Sequence, residues 1–72
     1  MRIDTDKMRM RRLEMHLSQA ELADKAGTSQ NHYSCIETGQ RIPKIVILEG
    51  IAQALDMKFV DLLIDESDSN PT

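Results

Sequence analysis

Residues 18–39 read SQAELADKAGTSQNHYSCIETG, and this stretch decides the fold. Ser18 is a good helix N-cap, and Glu21 three positions on completes a capping box. Leu22, Ala23 and Ala26 then recur at helical spacing. Gly27 stops the helix, because glycine turns through positive φ at little steric cost. Thr28 and Ser29 are both able to cap a second helix. Tyr33 and Ile36 lie on its inner side, and Gly39 ends it. Ala23 is small enough to let a second helix cross closely. Helix, tight glycine turn and steeply crossing helix form a helix-turn-helix unit, whose second helix is shaped to enter a DNA major groove.

Upstream, residues 1–5 read as a loose start, and Thr5 or Asp6 can cap a first helix running to about Met15. Met8, Arg12 and Met15 share one face at i, i+4, i+7, so Arg12 needs an anionic partner. Lys7, Arg9 and Arg11 face away as a basic surface, either merely solvated or attracting phosphate at long range. His16 falls at the turn that ends this helix. With His32 it is the only histidine, and neither belongs to a metal-ligand set.

Downstream, Pro43 suits a helix start, and a fourth helix runs from about Pro43 to Leu55. Ile45, Leu48, Ile51, Ala52 and Leu55 form its expected buried stripe. Gly50 inside it costs about 1 kcal/mol against alanine, which close approach of another backbone would explain. Lys58 to Ile64 reads as a fifth short helix, with Phe59, Leu62 and Leu63 closing the core. Residues 65–72 read as a disordered acidic tail.

The bulk composition is consistent with one small helical domain. The chain has 72 residues, 40% hydrophobic but only 3% aromatic, with five Met, so its core is aliphatic. One cysteine permits no internal disulfide, as expected in the cytoplasm. No apolar run approaches the ~20 residues of a membrane span. The net charge of −3 is unevenly divided: residues 1–44 carry a net +2 and residues 45–72 a net −5. A basic half and an acidic tail suit a molecule with one face toward phosphates. No paired acid and base, phosphate loop or metal set is present, so the chain is not read as an enzyme and needs no cofactor or small-molecule ligand.

The chain resembles the Xre family, the helix-turn-helix domains of phage repressors, Cro proteins and restriction-modification controller proteins. The resemblance rests on Arg12, Leu17-Ser18-Gln19, Glu21-Leu22-Ala23, Gly27, Ser29, Ile36-Glu37, Gly39, Pro43, Ala52, Ala54-Leu55 and Leu62-Leu63, and spans about residues 6–64. It implies an all-α, five-helix, lambda-repressor-like domain that binds double-stranded DNA sequence-specifically. It also implies a partner for Arg12, namely Glu37 at the end of the recognition helix, in a partly buried ion pair. Tyr33 departs from the family's usual Ile or Val and reads as core, with its hydroxyl at a polar edge.

On this reading Gln30, Asn31, Ser34 and Cys35 face the bases. Paired amides suit adenine, and the small apolar Cys35 suits a thymine methyl. Phosphate contacts fall to Gln19 and Ser29 at helix N-termini, to His32 at the edge of the groove face, and to Gln40, Arg41 and Lys44 in the loop beyond. Val46, Ile47, Gly50, Val60 and Ile64 are apolar or small positions not needed inside, and are expected at a homodimer interface. The expected function is a repressor acting as a homodimer on a palindromic operator. The alternative is an antitoxin or protein-interaction module on the same fold.

Overall fold

The structure, a computed structural model, describes residues 2–64. Each helix begins where a short polar side chain or extended residue can serve its free amides. Asp4 opens α1 (Thr5–Glu14) by accepting the Lys7 N–H at 3.0 Å. Ser18 opens α2 (Gln19–Ala26) with the complete capping box: its hydroxyl accepts the Glu21 N–H at 3.0 Å, and the Glu21 carboxylate accepts the Ser18 N–H at 2.8 Å. Ser29, not Thr28, caps α3 (Gln30–Glu37) through the His32 N–H at 3.1 Å. The fourth helix, α4 (Ile45–Ala54), starts two residues later than expected, because Pro43 is buried before it and Lys44 is extended.

All four helices end the same way. The residue after the last turn adopts positive φ, and two backbone bonds close back over the turn, as at Leu17 N–H to Arg12 carbonyl and His16 N–H to Leu13 carbonyl. Gly27 and Gly39 supply this conformation for α2 and α3, while His16 and Asp56 adopt it without glycine's freedom after α1 and α4.

The core gathers Met8 from α1, Leu22, Ala23 and Ala26 from α2, Tyr33 and Ile36 from α3, and Leu48, Ile51, Ala52 and Leu55 from α4, with Leu62 beneath them. The α2–α4 crossing is close enough that a Cβ on Gly50 would stand 2.7 Å from the Ala26 carbonyl oxygen. Glycine there is what lets the two backbones meet.

The expected five helices reduce to four among the described residues. Lys58 to Ile64 instead contains a 3₁₀ turn (Phe59–Leu62), which leads into a strand, β2 (Leu63–Ile64). A segment of seven residues is too short to hold a helix by itself. Its backbone is satisfied by pairing antiparallel with β1 (Arg2–Ile3), Arg2 opposite Ile64 and Ile3 opposite Leu63. The start expected to be loose is therefore tied down at Arg2 and Ile3, and the Asp4 N–H donates to the Leu62 carbonyl at 2.8 Å. The acidic tail lies outside the described residues.

Two further expectations change. Ile45 is 49% exposed rather than buried, at the first position of α4, where the core is reached only by Ile47 and Leu48 of that turn. Arg11 is not simply solvated. Its Nε donates to the Leu55 carbonyl at 3.0 Å and so caps the end of α4, and its guanidinium lies 3.5 Å from Glu14.

Candidate nucleic-acid interface

The surface of interest is the outer side of α3, and its orientation is fixed from behind by Glu37. Arg12 Nε donates to Glu37 Oε2 at 2.9 Å and Arg12 Nη2 to Oε1 at 3.1 Å, a two-pronged pair with both side chains almost fully buried. Arg12 Nη1 donates to the Leu17 carbonyl at 2.8 Å. Gln19 Nε2 donates to Glu37 Oε1 at 3.1 Å, and the Tyr33 hydroxyl to Oε2 at 2.6 Å. One carboxylate thus ties α1, α2 and α3 together.

Burial pushes the Glu37 carboxyl up, but the bonds from Arg12, Tyr33 and Gln19 outweigh it and hold it below the usual carboxylate value. The Arg12 guanidinium is raised, first by its bond to Glu37. The Tyr33 phenol is raised by burial and by its bond to the carboxylate. All three groups keep their working charge state near neutrality.

With Tyr33 and Ile36 buried and Glu37 tied inward, the rest of α3 faces out. Gln30 and Asn31 are exposed on its first turn, and Ser34, Cys35 and His32 are half-buried beside them. Ser29's hydroxyl takes the His32 N–H, which leaves the first-turn amides of Gln30 and Asn31 open to an acceptor from outside. Gln40, Arg41 and Lys44 are all exposed beyond the helix. Both Gln40 and Arg41 donate their N–H to the Cys35 carbonyl, at 2.8 and 3.2 Å, which folds this basic loop back against the end of α3.

Gln19 departs from its expected role. Its side chain is spent on Glu37, so only its main-chain amide at the start of α2 is left for an anion. Among the five expected interface positions, Val46 and Val60 are exposed, at 67% and 60%. Ile47 packs partly against the core, Gly50 is occupied by its approach to Ala26, and Ile64 sits in the strand pair. Ile42, 78% exposed, and Ile45, expected in the core, are exposed apolar residues outside that set, as are Met10 and Leu13 on α1. The Tyr33–Glu37 bond has a local signal, the i, i+4 spacing, but the Gln19 and Arg11 bonds have none.

A braced helix with a polar outer face, behind a tight αL turn from its partner helix, defines a helix-turn-helix protein. Residues 8–62 match the helix-turn-helix family, and the chain belongs to it, in the Xre-like branch. It is 38% identical over 63 residues to the HTH-type transcriptional regulator y4dJ of Sinorhizobium fredii, covering 88% of this chain and 79% of that one. A second regulator of that organism, y4dL, is 38% identical over 56 residues, but this chain spans only 29% of its length. Among solved structures, the SinR protein/SinI protein complex superposes with a TM-score of 0.80 at 28% identity, over 97% of this chain and 69% of the other. The P22 c2 repressor in complex with a synthetic operator superposes with a TM-score of 0.80 at 25% identity, over 88% and 96%.

Proposed function

We propose that this protein is a sequence-specific double-stranded DNA-binding transcription regulator that represses from a palindromic operator as a homodimer in the cytoplasm. The observation that carries the reading is the exposure of Gln30 and Asn31 on a helix whose back is held by Glu37. The two amides read base edges, joined by Ser34 and Cys35. The open amides of α2 and α3, together with His32, Gln40, Arg41 and Lys44, hold the backbone on either side. The likeness to a repressor bound to its operator supports this reading.

Base and phosphate contacts separate by experiment. Binding is measured against a site selected from random DNA and against unrelated DNA, over a series of salt concentrations. Arg41→Ala is expected to weaken both and to reduce the salt slope by about 1. Gln30→Ala is expected to lose about 1–3 kcal/mol on the selected site only, and to change the preferred sequence. Equal losses on both DNAs for both variants would refute this division.

A second reading, an antitoxin or protein-interaction module, is favoured by the exposed apolar side chains Ile42, Ile45 and Val46 and by the likeness to a protein–protein complex. Recovery of a stable protein partner, with no sequence preference for DNA, would select it.

A further inference from the structure

We propose that Arg2 and Arg41 grip a single phosphate of the bound DNA, so that the N-terminal strand belongs to the binding surface. This rests on the DNA-binding reading above. The two arginines are far apart in sequence and are brought together by the strand pair. β1 is held by β2, with Arg2 opposite Ile64, and runs beside the turn that follows α3. Between strand and turn lies a cavity of about 280 Å³, whose lining includes Arg2 and Thr5 on one side and Ile36, Gly39 and Arg41 on the other. Side chains alternate along a strand. Ile3 packs partly on the core, and Arg2 is exposed. Arg41 is exposed too, on a turn set by Gly39 at φ +83° and by the two bonds to the Cys35 carbonyl.

No carboxylate lines this cavity among the described residues. Arg2 and Arg41 bring two positive charges to one recess, and like charges repel each other unless an anion lies between them. A phosphate accepts from both at once, and guanidinium forks match its oxygens. Arg41 continues the loop of Gln40 and Lys44, which flanks the base-reading helix, so the anion that reaches this recess is a backbone phosphate of the same DNA.

The test compares the parent, Arg2→Ala, Arg41→Ala and the double variant on the selected site and on unrelated DNA over a salt series. Each single variant is expected to bind both DNAs about fivefold more weakly at roughly 0.15 M salt, with the slope reduced by about 1. The double variant is expected to reduce the slope by no more than about 1, because one phosphate is lost. Among the described residues Arg2 contributes only main-chain bonds to its strand, so the thermal midpoint of Arg2→Ala should match the parent. If it does not, Arg2→Gln, which keeps most of the stem, carries the comparison.

Unchanged binding by the Arg2 variants while Arg41→Ala weakens it overturns the shared grip and leaves the DNA reading intact. A slope reduced by about 2 in the double variant also overturns it, since two phosphates would then be held separately. Saturation of the Arg2 and Arg41 Nε–H resonances by low-millimolar inorganic phosphate, without DNA, would assign the recess to a free anion. A parent that binds no DNA in a salt-dependent way removes both readings.

Discussion

Glu37 accepts from Arg12, Gln19 and Tyr33, and a single substitution there removes the support of three helices at once. Glu37→Gln or Arg12→Ala strands a nearly buried partner and is expected to cost about 3–5 kcal/mol, a large part of the stability of so small a domain. Tyr33→Phe deletes one bond and leaves the ion pair, so a loss nearer 1.5 kcal/mol is expected. Urea midpoints rank the three. Because the folded-state pKa of Glu37 is depressed, its contribution is complete above the ordinary glutamate value and is lost as pH falls through the lower folded value. Acidification from about pH 7 to about pH 4 and below should therefore destabilise the parent more steeply than Glu37→Gln. Gly50 gives a test of opposite sign to propensity. Alanine is favoured in a helix by about 1 kcal/mol, but its Cβ would stand 2.7 Å from the Ala26 carbonyl oxygen, so a net loss of about 1–3 kcal/mol is expected. Arg12's need for an anion was legible because it lies on an apolar stripe, and the close approach at Gly50 because glycine is costly inside a helix. The Gln19 bond was not, since nothing local separates a glutamine that braces a carboxylate from one that meets a phosphate.

At the scale of elements, the sequence signals for helix ends were as informative as those for helix faces. Ser18, Glu21, Gly27, Ser29 and Gly39 each stand where the structure uses them. His16 and Asp56 perform at α1 and α4 the task of Gly27 and Gly39 at α2 and α3, with φ of 57° and 55°. A left-handed residue with a Cβ is strained, so His16→Gly and Asp56→Gly are each expected to raise stability by about 1 kcal/mol, read as a higher thermal midpoint. The strand pair was not legible. Two-residue strands carry no periodicity, and their partner lies at the far end of the chain, so Phe59, Leu62 and Leu63 looked like the inner side of a short helix, with Ile64 on its outside. The late start of α4 escaped notice for a related reason: Pro43 is compatible with the first position of a helix or with the approach to it.

On the scale of the molecule, Ile42, Ile45 and Val46 are exposed beside the basic loop, and Val60 lies on the 3₁₀ turn. The proposed twofold interface is centred on Val46 and its exposed neighbours, not on Ile47 or Gly50, which serve the protein's own packing. A twofold interface presents each substitution twice. Val46→Asp is therefore expected to weaken self-association about tenfold or more, with an unchanged thermal midpoint for the monomer. Sedimentation at high micromolar concentration, with and without the selected DNA, measures it, and a monomeric parent in both conditions would exclude the dimer.

The pairing of β1 with β2 bears on the order in which the protein can be finished as it leaves the ribosome. Synthesis runs from the N-terminus, and the helices from Thr5 to Ala54 can gather as they emerge. Arg2 and Ile3, made before the helices, have no edge to join until Leu63 and Ile64 have cleared the exit tunnel. Residues made ahead of the helices are thus placed by residues made after them, and a translation product stalled before Leu62 would carry the reading helix without the seam that seats Arg2 and Ile3.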